Sequence, residues 1–180
     1  MNAALRLSWY KFKHHYMDFV KVLLGIVAFE GLILYIQDKG FLKDFETTRM
    51  TLFLLLFSTS LLIVVQNSIY ISKERSVLNR DFFSGLSRSA FALASMGIHA
   101  FFAVLETIIF ILSYSVFSKF FDKEFPDAGH IFGSYRWEVG ITVLLVFLAS
   151  HFIALFISAL VGKSEITSVI LAVVVGIMQF

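Results

Sequence analysis

Four ionisable residues stand inside stretches that are otherwise largely apolar: Glu30, His99, Glu106 and His151. Such groups are costly inside a membrane, and they usually face the interior of a helical bundle or a wet cavity. His99 and Glu106 are seven positions apart, so they share one face of a helix. The four residues can line a polar path, exchange protons or hydrogen-bond neighbouring helices, and the sequence leaves these roles open.

Motifs for catalysis, metal binding and nucleotide binding are missing from the sequence. Cysteine is absent, and no His-Glu-x-x-His motif occurs, which excludes a cysteine nucleophile, a zinc framework and a disulfide scaffold. Residues 162–164, Gly-Lys-Ser, resemble the end of a phosphate-binding loop, but Ile157 stands where that loop requires glycine. We therefore predict no enzyme activity, no cofactor and no metal in this chain.

The composition is that of a membrane protein. Of the 180 residues, 58% are hydrophobic and 16% are charged, whereas soluble domains average about 45–50% and 25%. The 22 phenylalanines and the single proline argue against disorder. A net charge of +2 is too small to indicate a nucleic-acid-binding protein, and the length suits one domain.

Five apolar stretches are predicted membrane spans, because a bilayer core about 30 Å thick needs roughly 20 residues of helix. They cover residues 19–36, 50–71, 91–118, 139–161 and 166–180. The first contains Glu30, whose cost is outweighed by twelve Leu, Ile, Val and Phe residues. The prediction is an all-α, polytopic helical membrane protein. Four phenylalanines of the third span are expected to face lipid more often than a ligand cavity: Phe101, Phe102, Phe110 and Phe117.

The charges between the spans predict an orientation. If the N-terminus is cytoplasmic, segments 1–21, 72–90 and 162–165 lie inside and carry nine Lys and Arg residues. Segments 37–49 and 119–138 then lie outside and carry six. Because basic residues collect on the cytoplasmic side of a membrane, this difference favours a cytoplasmic N-terminus.

Two segments outside the spans have amphipathic patterns. In residues 1–18, apolar side chains recur at helical spacing with basic residues on the other faces, which predicts a helix on the inner leaflet or, alternatively, an ordinary basic flank. Residues 72–88 predict a short cytoplasmic helix between the second and third spans or, alternatively, a solvated loop with the basic residues of a cytoplasmic segment. Its polar face carries Lys73, Ser76, Arg80 and Ser84. Its apolar face carries Leu78, Phe82 and Leu86.

The sequence around this second segment resembles a known family. Residues 67–75, Asn-Ser-Ile-Tyr-Ile-Ser-Lys-Glu-Arg, are followed by Val77, by Arg-Asp at 80–81 and by Gly-Leu-Ser at 85–87. Residues 155–165 then end the fourth span in small residues. This order is similar to the membrane domain of type-2 ATP-binding cassette (ABC) exporters, which include G-subfamily half-transporters and bacterial permeases fused to forkhead-associated domains. The resemblance covers nearly the whole chain.

The resemblance implies that residues 72–88 form a coupling helix, which docks on a nucleotide-binding domain. The coupling residues by this match are Glu74, Arg75, Arg80 and Asp81. In the family a glutamate usually stands at the position of Asp81. ATP and Mg would be bound by a partner ABC ATPase subunit or domain, and a second membrane domain would complete a homo- or heterodimer. Family members have six spans, so a sixth would be missing from this chain.

The predicted function is therefore that of an ABC permease that exports an amphiphilic or apolar cargo. The absence of cysteine and of Asn-x-Ser/Thr acceptors suits a bacterial inner membrane. One alternative is an intramembrane enzyme that uses the four intramembrane ionisable residues, and another is a membrane scaffold. The charged, amphipathic segment 72–88 favours a transporter over a scaffold. Since the family is driven by ATP, interhelical hydrogen bonding is the favoured role of the four ionisable residues.

Overall fold

A computed structural model describes residues 2–37, 45–73, 75–122, 131, 133–161 and 164–178, except for the side chains of residues 2–9, 11–15 and 45. Within these residues the chain forms six helices and no strand. The helices are α1 (Asn2–Ile36), α2 (Phe45–Asn67), α3 (Arg75–Phe83), α4 (Arg88–Phe120), α5 (Tyr135–Leu160) and α6 (Glu165–Met178). The predicted all-α fold class is confirmed.

Four of these helices are long and apolar enough to cross a membrane. Their apolar stretches are Tyr16–Ile36, Glu46–Asn67, Arg88–Phe120 and Tyr135–Leu160. The fifth predicted span, 166–180, corresponds to α6, which has 14 residues. At 1.5 Å per residue α6 is about 21 Å long, less than the roughly 30 Å of a bilayer core. The polytopic helical architecture thus consists of four candidate spans and one shorter apolar helix.

Helix α1 runs through two segments that the sequence pattern separates. Its 35 residues are helical without a break, so the predicted surface helix 1–18 and the predicted span 19–36 are continuous. Most side chains of residues 1–18, which would form the predicted amphipathic face, lie outside the described residues. Tyr16 and Met17 are exposed at the beginning of the apolar stretch of α1.

The four long helices pack as a ring. Helix α1 contacts α4, α4 contacts α5, α5 contacts α2, and α2 contacts α1, while α6 packs outside this ring against α2 and α5. The centre of the ring is filled by buried apolar side chains. They are Val22, Ile26, Ile63, Ala103, Phe110, Val143 and Phe147.

Glycines allow α1 and α6 to pack closely against leucine side chains of α2. A Cβ atom on Gly25 of α1 would lie 2.5 Å from Cδ2 of Leu62 on α2. A Cβ atom on Gly176 of α6 would lie 2.6 Å from Cδ1 of Leu61, also on α2. Membrane helices associate through such small residues, because lipid supplies no hydrophobic driving force between them.

Large apolar side chains cover the outside of the bundle, and many hydroxyl and ionisable groups are buried inside it. This distribution is expected in lipid, where apolar groups are well solvated and polar groups need partners within the protein. The expectation that phenylalanines of the third span face lipid is wrong for Phe102 and Phe110, which are buried. They lie on the face of α4 that packs against α1 and α5, where Phe110 meets the ring of Phe147 edge-on with centroids 5.8 Å apart.

Candidate functional site

Helix α3 is a short helix between the spans α2 and α4, and local sequence signals end it. Gly85 follows α3 with a φ of +103°, a left-handed conformation that glycine adopts without a Cβ clash. The N–H of Leu86 donates to the carbonyl oxygen of Asp81 at 3.0 Å, which is the long hydrogen bond of a glycine-ended helix. Ser87 then caps the N-terminus of α4 through its side chain. Residues 85–87 therefore turn the chain from one helix into the next.

The two sides of α3 differ in polarity as the sequence pattern indicates. The polar residues Lys73, Ser76, Arg80 and Ser84 are all exposed. On the other side Leu78 is buried, and Phe82 and Leu86 are half-buried. The ring of Phe82 meets the ring of Phe91 of α4 edge-on, with centroids 5.9 Å apart. The guanidinium of Arg88 lies 5.7 Å from the centroid of the Phe82 ring. The apolar side of α3 is thus fixed to the beginning of α4.

The four predicted coupling residues do not share one environment. Arg80 is exposed and Asp81 is half-buried, whereas Glu74 lies outside the described residues. Arg75 is half-buried, and its Nη1 donates to the carbonyl oxygens of Val161 at 2.5 Å and Ala159 at 3.3 Å. Arg75 therefore points to the end of α5, and Arg80 points away from the bundle.

Three of the four intramembrane ionisable residues meet between α4 and α5. Nε2 of His151 lies 2.8 Å from Oε2 of Glu106. Nδ1 of His151 lies 3.0 Å from Nδ1 of His99. At most 1% of each of these residues is exposed, so the chain of three groups is enclosed by the helices. We call Glu106, His151 and His99 the buried relay.

The hydrogen-bonding capacity of these groups determines the direction of the bonds. When both imidazoles are neutral and Glu106 is ionised, the carboxylate only accepts, so His151 donates its Nε2–H to Glu106 and accepts the Nδ1–H of His99. If Glu106 carries a proton instead, both bonds reverse and Nε2 of His99 becomes a donor. Among the described residues, neither that nitrogen nor Oε1 of Glu106 has a hydrogen-bond partner. The arrangement can therefore shift a proton along three groups without moving a helix.

Glu30 is not part of the buried relay. Its Oε2 accepts a hydrogen bond from the hydroxyl of Ser113, which joins α1 to α4. Ser113 follows Glu106 by seven residues along α4, a rise of about 10 Å. All four intramembrane ionisable residues are buried, and they lie in two separate sites.

Two serines of α5 form contacts that the sequence analysis did not identify. Ser150 and Ser60 of α2 are hydrogen-bonded through their hydroxyls at 2.6 Å. Ser158 accepts the backbone N–H groups of Ile71 at 2.8 Å and Ser72 at 3.1 Å, in the turn after α2. Serine is common in membrane helices because it is small and allows close packing. A serine inside an apolar span therefore gives only a weak indication that its hydroxyl bonds to another helix.

A partly open cavity of about 280 Å³ lies between α2, α4 and α5, at the end of the bundle where α5 begins. Most of its lining is apolar: Leu52, Leu55, Leu56, Phe110, Ile131, Val139 and Val143. The polar lining residues are Tyr114, Tyr135, Glu138 and Thr142. This combination of an apolar wall with a few polar groups is typical of a site for a small amphiphilic molecule.

Within the described part of the chain, no cluster of His, Cys, Asp and Glu side chains has the arrangement of a metal site. No curated protein and no solved structure matches the sequence at a significant level. The family description "ABC-2 type transporter" matches residues 6–180, which include all four candidate spans, α3 and α6. The chain therefore belongs to the ABC-2 type transporter family and is the membrane-spanning permease component of an ABC transporter.

Proposed function

We propose that this chain exports an amphiphilic or apolar cargo, using ATP hydrolysis by a separate ABC ATPase that docks on the exposed face of α3. The observation that carries the proposal is the two-sided environment of α3. Leu78 is buried with 2% of its surface exposed, while Arg80 is exposed on the opposite side. A helix held by one face and free on the other is suited to receive a partner.

The residues of the free face favour a specific protein contact. Arg80 supplies a positive charge, and Phe83 at the end of α3 has 94% of its surface exposed. Aromatic and arginine side chains contribute most of the binding energy in many protein interfaces. The ATPase surface that fits this face would carry a carboxylate for Arg80 and an apolar depression for Phe83. Glu74 and Asp81 remain further candidates for this contact.

The cavity between α2, α4 and α5 supports an amphiphilic or apolar cargo. Its apolar wall suits a hydrocarbon portion, and Tyr135 and Glu138 in its lining suit a polar group.

The centre of the helical ring is filled by side chains such as Ile26, Ile63 and Phe147, all fully buried. We therefore place the main translocation path between this membrane domain and a second one in a dimer.

The proposal places α3 and the N-terminus on the cytoplasmic side, in agreement with the excess of basic residues there. The membrane would be the inner membrane of a bacterium. Single cysteines at Asn79 and Ile131 test the orientation, because the native chain has no cysteine and both positions are exposed. An impermeant thiol reagent added outside should label Ile131→Cys and not Asn79→Cys. Labelling of both variants from one side would contradict this topology.

The docking proposal is tested by charge reversal at Arg80. Arg80→Glu should weaken co-purification with the cognate ATPase, since a like-charge contact costs several kcal/mol at an interface. Arg136→Glu is the matched control, because Arg136 is also exposed but lies at the beginning of α5, at the other end of the bundle. Both variants should insert and fold normally.

Cargo-stimulated ATP hydrolysis in reconstituted vesicles is the second measurement. Arg80→Glu should lose stimulation, whereas Arg136→Glu should retain it. Full association and full stimulation of Arg80→Glu would show that α3 is not the docking element.

A further inference from the structure

The turn between α2 and α3 is bound to the end of α5 by one buried hydroxyl. Ser158, fully buried, accepts two successive backbone N–H groups, at 2.8 Å from Ile71 and 3.1 Å from Ser72. Buried backbone N–H groups need an acceptor, and the turn 68–73 lies outside the hydrogen-bonded part of α2. Ser158 therefore holds the direction in which the chain leaves α2.

Arg75, the first residue of α3, makes a second connection to α5. Its guanidinium donates to the carbonyl oxygens of Val161 and Ala159 at 2.5 and 3.3 Å. The last carbonyls of a helix have no partner within that helix, and its C-terminal end carries partial negative charge. The guanidinium of Arg75 therefore binds strongly at the end of α5. Val161 and Ala159 are 86 and 84 residues from Arg75 along the chain.

The contacts of Arg75 separate it from the docking face. Arg80 follows Arg75 by five positions, which is a rotation of about 140° around a helix with 3.6 residues per turn. Arg80 is exposed, whereas Arg75 is half-buried against α5. Helix α5 in turn packs on α2, α4 and α6. A force applied to α3 thus reaches α2 and α4 through the chain itself, and reaches α5 through Arg75 and Ser158.

We propose that Arg75 and Ser158 are positioning residues which form a fixed joint between α3 and the end of α5. The joint passes a displacement of α3 to α5 and thereby moves the helices at this end of the bundle together. Arg75 then acts inside the permease and makes no contact with the ATPase. This inference rests on the proposed function, in which the ATPase docks on α3.

The experiment compares association with the ATPase, basal ATP hydrolysis and cargo-stimulated hydrolysis for the full chain in vesicles. Arg75→Met keeps an apolar stem but removes all donors, and Ser158→Ala removes the acceptor. Each should retain association and basal hydrolysis and lose stimulation by about tenfold. Arg75→Met loses a charge-assisted hydrogen bond and Ser158→Ala leaves two buried backbone N–H groups without an acceptor, and either loss corresponds to a factor of about ten in an equilibrium. The double variant should lose little more than either single variant, because both residues act in one joint.

Two further variants separate positioning from a general effect on folding. Arg75→Lys retains one cationic donor and should recover much of the stimulation. We call the contacts of Arg75 and Ser158 the α3 junction. Ser150→Ala is the matched control, because it removes another buried hydroxyl of α5 whose partner is Ser60 of α2 and not a group of the α3 junction. Its ratio of stimulated to basal hydrolysis should match that of the native chain. If Arg75→Met does not accumulate in the membrane, Arg75→Lys and Ser158→Ala decide the question by their graded losses.

The outcomes distinguish this inference from the proposed function. If the native chain does not associate with the ATPase, the proposed function fails and the inference fails with it. If the native chain is stimulated and Ser158→Ala and Arg75→Met are stimulated equally, only the inference is overturned. Loss of association in Arg75→Met would also overturn it, because Arg75 would then belong to the docking surface.

Discussion

Two of the polar regions that connect helices in this permease use different kinds of bonds. The buried relay joins α4 to α5 through side chains alone, His99, His151 and Glu106. The α3 junction joins α3 and the preceding turn to α5 through bonds between a side chain and the backbone, from Arg75 and to Ser158. One region lies wholly within the bundle, and the other lies at its end.

The difference between these regions indicates different roles. The bonds of each side chain in the relay depend on the protonation and the presence of its neighbours, so the loss of one member leaves a polar atom of the next one unpaired in a site of low dielectric constant. A bond to the backbone fixes the path of the chain whatever the neighbouring side chains are. We therefore expect changes in the relay to lower stability most, and changes in the α3 junction to act mainly on coupling.

The largest effect is expected from Glu106→Leu. This change removes the partner of His151 and leaves both histidines buried, and breaking a buried pair from one side costs about 3–5 kcal/mol. The free energy of unfolding, measured by denaturation in detergent, should fall by an amount in this range.

Glu106→Gln is the control for that loss, because the amide oxygen still accepts the Nε2–H of His151. It should remain nearly as stable as the native protein and export cargo almost normally. Lost export at normal expression, or a shifted pH optimum, would instead give the relay a role in proton exchange.

A medium effect is expected from Phe82→Ala. The ring is half-buried between α3 and the beginning of α4, so its removal should cost about 2 kcal/mol, less than the 3–5 kcal/mol of a fully buried ring. Hydrogen exchange should accelerate in α3 and remain unchanged in α5. Phe83→Ala serves as the control, since Phe83 has 94% of its surface exposed. Equal losses in the two variants would contradict the orientation of α3.

A smaller loss is expected from Ser113→Ala, which removes the hydrogen-bond donor that joins α4 to Glu30 of α1. An acceptor left buried in this way costs about 1–2 kcal/mol. The thermal midpoint in detergent should fall, and the double variant Ser113→Ala/Glu30→Leu should recover part of the loss because no polar group then remains unpaired. A further drop in the double variant would mean that Glu30 has another essential role.

The smallest effect is expected from Ser60→Ala, which breaks the hydroxyl contact between α2 and α5. Hydrogen bonds between membrane helices contribute about 0.6 kcal/mol on average. Unfolding in detergent should therefore change by less than about 1 kcal/mol, and coupling to the ATPase should remain intact. Loss of coupling in this variant would mean that the contact between Ser60 and Ser150 also transmits the displacement of α3 to α5.

The sequence by itself determined the helical class, the positions of the candidate spans and the two-sided character of α3. These features depend on local properties: the length of an apolar run and the spacing of polar residues around one helix. The resemblance in residues 67–87 and 155–165 was equally readable, because a family pattern is a property of order along the chain. The family match over residues 6–180 agrees with it.

Only the tertiary structure decided which face of each span is covered and which distant residues meet. Phe101 and Phe102 are neighbours of one type, yet one is exposed and the other buried, because the rotation of α4 against α1 and α5 sets their environments. His151 lies between His99 and Glu106 although 52 and 45 residues separate them. Arg75 similarly meets a carbonyl 86 residues away. Periodicity gives positions around one helix axis, but the orientation of that helix is set by its packing against the others.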